Sequence, residues 1–161
     1  MTPIISLPYG DGTTQIDHIL ISTKGILIIE TKHFSGWLFA GERDKYWTQV
    51  IFKVKNKFLN PLRQNYKHIC VVRELLNFLP PQNIKGIVVF TSDATFKTNR
   101  PNGILTLDEL QSHIENMFHA EMSENRLQFC VGRLEYTRLA ITNRTDVEHQ
   151  AYLKKKYGNV T

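Results

Sequence analysis

No run of apolar residues in this chain reaches the roughly 18 positions that a membrane-crossing helix requires. The opening "MTPIISLPYG" also lacks a basic segment leading into an apolar one, so it does not read as a secretion signal. A soluble, cytoplasmic protein with no membrane partner is expected. Cysteine is scarce as well. Cys70 and Cys130 have neither Cys-x-x-Cys spacing nor a histidine pair beside them, which argues against a zinc site. Both sit in apolar periodic segments and are expected to be reduced, buried thiols.

Acidic residues are outnumbered. Asp and Glu total 15 against 20 Lys and Arg, a net charge of +5 with histidine neutral. That balance suits a polyanionic partner such as nucleic acid without requiring one. Internal repeats, low-complexity tracts and linkers are missing too. What remains is 161 residues, 42% hydrophobic and 11% aromatic, enough for one well-packed domain.

Strand signals fill the first third: residues 3–7, then "GDG" as a turn, "TQIDHILIS" at 14–22, and "ILIIETK" at 26–32. Past "HFSG" come "WLFAG" and "KYWTQVIFKVKN", giving a meander of three or four antiparallel strands. Asn60-Pro61 is a helix cap with proline in the first helical position. A stripe of Leu62, Ile69, Val72 and Leu76 should cover the sheet, with Gln64, Lys67, His68 and Val71 on another side, until Pro80-Pro81 stops the helix. A buried strand follows at 84–91, then a polar loop. Thr106 with Glu109 has capping-box spacing for a helix to about Phe118. Further helical stretches are expected from Glu124 to about Leu139 and from Asp146 to Lys156. Strands, helix, strand and helices in that order fit an α/β domain with a mixed sheet.

The unusual stretch is "ILIIETKHFSGW". A strand buried on both faces ends in Glu30-Thr31-Lys32, and residues two apart share a strand face, so Glu30 and Lys32 lie together. If Thr23-Lys24 is a two-residue hairpin loop, Ser22 pairs with Gly25 and Asp17 comes to face Glu30. Two opposed carboxylates beside a lysine suit a bound cation. A bulge at Gly25 would instead set Asp17 opposite Thr31, and spacing alone equally allows an exposed charged strand end.

"GTTQIDHILISTKGILIIETKHFSG", followed by "YWTQ" and "NPLRQNYKHI", resembles the nuclease-related domain (NERD) family, a branch of the PD-(D/E)XK nuclease superfamily. The similarity spans about Leu7 to Phe90. Gln15-Ile16-Asp17-His18, Glu30-Thr31-Lys32, Trp47-Thr48-Gln49 and Asn60-Pro61 with Gln64 occur in the family's order. The resemblance implies a restriction-endonuclease-like α/β core, a mixed sheet flanked by helices, from about 7 to 118 with a helical extension over 119–161. It implies a metal-dependent nuclease that hydrolyses phosphodiester bonds in DNA without a small-molecule cofactor. Asp17 and Glu30 match the metal-binding acids, Lys32 the catalytic lysine, and Gln64 the glutamine of the following helix. The family pattern places a helix with a further acidic residue before the first strand, and this chain is expected to begin beyond it. A second reading therefore stands beside the first, a weak or inactive nucleic-acid-binding module that keeps the nuclease fold.

The residue chemistry is compatible with the enzyme. Two carboxylates and the Thr31 carbonyl are hard oxygen ligands suited to Mg²⁺ or Mn²⁺, and Lys32 can orient water or stabilise charge developing on phosphate. "KVKNK" is expected to set Lys53, Lys55 and Lys57 on one side of a strand, with Lys45, Arg63 and Lys67 near by. They either contact backbone phosphates or protect a solvated edge strand. Scattered basic residues would favour a protein-interaction domain instead. His18 should face away from the site, while His33, Glu42, Asp44 and Asp93 read as turn residues.

Overall fold

The structure is a computed structural model that describes residues 5–10, 12–117 and 121–157. The first residues of the expected 3–7 strand, the helix end at Phe118 and the tail 158–161 lie outside them. In chain order the elements are β1 (Ile5–Tyr9), β2 (Gly12–Ile16), β3 (His18–Ser22), β4 (Gly25–Lys32), β5 (Gly36–Phe39), β6 (Tyr46–Ile51) and β7 (Val54–Leu59). Then follow α1 (Pro61–Leu75), a 3₁₀ turn (Pro81–Asn83), β8 (Ile84–Phe90), β9 (Ala94–Phe96), β10 (Ile104–Thr106), α2 (Leu107–Glu115) and α3 (Glu124–Tyr157).

The aliphatic run of β4 is buried from Gly25 to Glu30 because the strand is interior. Its sheet has the order β10-β8-β4-β3, antiparallel to β3 and parallel to β8, so both edges and both faces of β4 are covered. Ile26 and Ile28 join Val72 of α1, Leu76 just past its end, and Cys130 and Leu134 of α3. Leu27 and Ile29 face the other way, with Val89, Leu110 and Ile114 beneath α2. This is a mixed α/β core with helices on both faces. A second four-stranded sheet, β7-β6-β5-β9, closes Leu38, Trp47 and Phe96 against Val88 and Phe90 at the end of the first.

Two local devices fix the parts that matter for the site. Thr23-Lys24 forms the β3–β4 loop, Ser22 pairs with Gly25, and the register runs unbroken to His18 opposite Ile29. Asn60, fully buried, accepts the Leu62 amide as helix cap at 2.9 Å. Its Nδ2 also donates to the carbonyls of Glu42 at 3.1 Å and Asp44 at 2.7 Å. One side chain thus ties the loop before β6 to the start of α1.

Several expectations are corrected. "TQIDHILIS" is two strands, because Asp17 leaves the ladder in a bend; β2 pairs with β1 in a separate hairpin. "KYWTQVIFKVKN" folds back on itself at Phe52-Lys53, where Phe52 adopts φ 53°. Lys53 therefore occupies a turn, and only Lys55 and Lys57 share a strand face. The loop after β8 adds the short strands β9 and β10, parallel to β5 and β8. α1 ends at Leu75, before the prolines, and α3 is one continuous helix. Cys130 is buried but Cys70 is exposed, since it falls on the outer side of α1.

The face α1 lays on the sheet is wider than the expected stripe: Leu62, Ile69, Val72 and Leu76 pack into or against the core, and Pro61, Asn65, His68 and Val71 are buried as well. Gly86 of β8 explains this. A Cβ there would stand 2.7 Å from Asn65 Nδ2 and 2.6 Å from Ile69 Cδ1, so glycine lets the helix approach. Asn65 then donates to the carbonyl of Ile87 at 2.9 Å.

Candidate nuclease site

Glu30 and Lys32 project from the C-terminal end of β4 toward α1, as alternation with the core residues Ile26 and Ile28 requires. Lys32 Nζ donates to Glu30 Oε1 at 2.6 Å and to Gln64 Oε1 at 3.1 Å. Gln64 stands one turn inside α1 because Asn60 fixes the helix start. The strand end and the helix start are thereby joined through one ammonium. Lys32 retains some solvent contact, with 19% of its side chain exposed, whereas the Glu30 side chain is 3% exposed. Burial raises the Glu30 carboxyl above its usual range; the neighbouring Lys32 ammonium opposes that shift and Asp17 adds to it.

Asp17 approaches from the edge. Rather than stacking over Glu30 in a ladder, its Oδ2 accepts from the Thr31 amide at 2.9 Å and from Thr31 Oγ1 at 2.8 Å. The carboxylate so replaces the backbone partner that β3 would have offered. Within a strand the N–H and C=O of one residue point to the same edge, so the Thr31 carbonyl also aims toward Asp17.

His68 completes the cluster, and it is the residue the sequence reading left out. It lies one turn after Gln64 on the same helix face, 3% exposed, with Nδ1 3.4 Å from Glu30 Oε2. Neither atom makes a hydrogen bond among the described residues. Burial lowers the His68 pKa, Asp17 opposes that shift, and Lys32 and Lys67 add to it. The i, i+4 spacing of Gln64 and His68 was the available signal: the two were expected on one side of the helix, but only Gln64 was assigned a role there. Among the described residues, no group of three or more His, Cys, Asp or Glu side chains is placed to hold a metal ion.

A cleft of about 500 Å³ opens beside these groups. Gln64, Lys67 and His68 of α1 form one wall, and Tyr9, Thr13 and Gln15 of the β1–β2 hairpin form another. Of the basic residues singled out, Lys67 lines this cleft, and Arg63 is exposed on the same helix. Lys45, Lys53, Lys55 and Lys57 are exposed on the second sheet and its turns. His18 lies on β3 opposite Ile29, away from Glu30.

A mixed, helix-flanked sheet with an acid–lysine pair at the end of an interior strand defines a nuclease-like α/β core. The nuclease-related domain model matches residues 4–91, more than half of the chain, and the protein belongs to that family. It is similar to an uncharacterized protein of Bacillus anthracis, 32% identical over 162 residues, with 93% of this chain and 71% of that protein covered. No solved structure matches. No helix among the described residues is long and apolar enough to cross a membrane.

Proposed function

We propose that this protein is a metal-dependent nuclease that hydrolyses phosphodiester bonds in DNA, with residues 1–161 working as one domain in the cytoplasm. The observation that carries the reading is the Lys32 ammonium suspended between Glu30 and Gln64 at the end of a buried strand. An ammonium has three N–H donors. Two are committed here, which leaves one for a phosphate oxygen or an attacking water. A cation fixed in this way stabilises charge that develops on the phosphate during cleavage at little reorganisation cost. Gln64 sets the ammonium's direction and can hold water or phosphate with its amide nitrogen.

The donor set fits a hard divalent cation. Glu30 Oε2 is buried without a hydrogen-bond partner, Asp17 uses only one carboxylate oxygen, and the Thr31 carbonyl points to the same edge. Asp17, Glu30 and Thr31 would hold Mg²⁺ or Mn²⁺, which when bound neutralises the phosphate and activates water. Lys67 lines the cleft, Arg63 is exposed on the same helix, and Lys45, Lys53, Lys55 and Lys57 on the second sheet and its turns offer further cations for backbone phosphates.

One observation favours a second reading: among the described residues, no group of three or more His, Cys, Asp or Glu side chains is placed to hold a metal ion. A module that binds nucleic acid without turnover would have this appearance. Supercoiled plasmid, Mg²⁺ or Mn²⁺, EDTA and a gel separate the two. Nicking that EDTA abolishes and Lys32→Ala removes, with DNA binding retained, supports the nuclease. No nicking, with salt-sensitive binding that survives Glu30→Ala, establishes the binding module.

A further inference from the structure

The second sheet has one face buried and one face exposed, and the exposed face is unusual. The register places Trp37 and Phe39 of β5, Tyr46, Thr48 and Val50 of β6, and Lys55 and Lys57 of β7 on the same side. Leu38, Trp47 and Phe96 take the opposite side, in the core. Trp37 is 51% exposed, Phe39 42% and Tyr46 52%. Three aromatic rings in the open on one sheet face call for an explanation.

Their arrangement is regular. Trp37 and Phe39 are two positions apart on one strand, about 7 Å. Thr48 is opposite Phe39, so Tyr46 is its diagonal neighbour, about 7–8 Å away. The rings run obliquely across the sheet. Lysines accompany them: Lys97 Nζ lies 4.4 Å from the Trp37 ring centre, Lys45 Nζ lies 5.3 Å from that of Tyr46, and Lys55 and Lys57 extend the rows. No Asp or Glu occurs in β5, β6, β7 or β9.

We propose that this face is a stacking platform for single-stranded nucleic acid, with bases on Trp37, Phe39 and Tyr46 and backbone phosphates on Lys45, Lys55, Lys57 and Lys97. Exposed rings on a flat sheet need unpaired bases, because a duplex keeps its base faces stacked internally. The lysines select against a protein partner, since interface centres are depleted in Lys whereas here an ammonium covers two of the three rings. Charge complementarity points to a polyanion, and the rings specify one with aromatic faces. The proposal shares with the nuclease reading the premise that the partner is nucleic acid, but it uses none of Asp17, Glu30, Lys32 or Gln64.

The test is fluorescence anisotropy of a labelled single-stranded 20-mer and of the same sequence as duplex, with the full protein in EDTA so that nothing is cleaved. Single strand is expected to bind at least tenfold more tightly and to quench tryptophan emission through the exposed Trp37. Trp37→Ala with Phe39→Ala is expected to weaken single-strand binding about 10- to 100-fold. Because both side chains are outside the core, its thermal unfolding should match wild type. Lys57→Glu, an independent variant, should weaken binding and reduce its salt slope. Equal or tighter duplex binding overturns the proposal, as does undiminished single-strand binding by the double variant or its conversion of a dimer to a monomer. Effective competition by polyglutamate also overturns it. Single-strand preference without plasmid nicking leaves the platform and removes the nuclease reading; nicking without that preference does the reverse.

Discussion

Lys32 and Gln64, 32 positions apart in the chain, are joined by a 3.1 Å hydrogen bond from Nζ to Oε1. Lys32 ends an interior strand and Gln64 lies in the first turn of the helix packed on it, so the bond reports how the helix is seated. The same ammonium holds Glu30 at 2.6 Å.

Lys32→Ala should lower the rate of plasmid nicking by about 100-fold or more while changing the DNA dissociation constant less than about threefold, because its contribution is made in the transition state. Gln64→Ala leaves the ammonium in place but frees its direction. A loss of about tenfold in kcat, with KM little changed, is the expected result. Steady-state kinetics on a defined oligonucleotide measures both.

Asn60→Ala removes a buried cap and two further donations to loop carbonyls. A loss of about 2–4 kcal/mol in urea unfolding is expected, since the cap and the stranded carbonyls both count. Asn60→Asp keeps the acceptor for Leu62 but offers no donor to Glu42 and Asp44, so it should not restore stability. Equal stability of Asp and wild type would show that the cap alone matters.

The two thiols should separate under alkylation. Cys70 is exposed, whereas Cys130 is fully buried and burial pushes its thiol above the ordinary range, leaving less thiolate at pH 8. Iodoacetamide on native protein should modify Cys70 alone, with Cys130 labelled only after unfolding. Peptide mass spectrometry identifies the site.

The Arg100 guanidinium pairs with both Glu109 oxygens, at 3.0 and 2.8 Å, and holds that carboxyl below the usual carboxylate range; the Thr106 amide adds to the effect. The stabilisation is therefore present above the ordinary glutamate pKa and lost as pH falls through the depressed value. Both side chains are well exposed, so the effect on stability is small, but the titration is readable. A carbon-detected NMR titration should give a low Glu109 midpoint that rises in Arg100→Ala.

Features set by neighbours in the chain were legible in the sequence. The Thr23-Lys24 loop fixes the β3–β4 register, Asn60-Pro61 starts α1, Thr106 and Glu109 form the capping box, and strand alternation puts Glu30 beside Lys32. Each depends on dihedral preferences or on side-chain period, which act over a few residues. The seating of α1 does not. It turns on Gly86, more than ten positions after the helix ends, whose missing Cβ admits Asn65 and brings His68 against Glu30. In the same way Asp17 leaves its strand, and its carboxylate takes the Thr31 amide across the edge. The sequence alone determined the strand–helix order and the acid–lysine pair; packing between distant segments decided which helix face and which edge would complete the site around it.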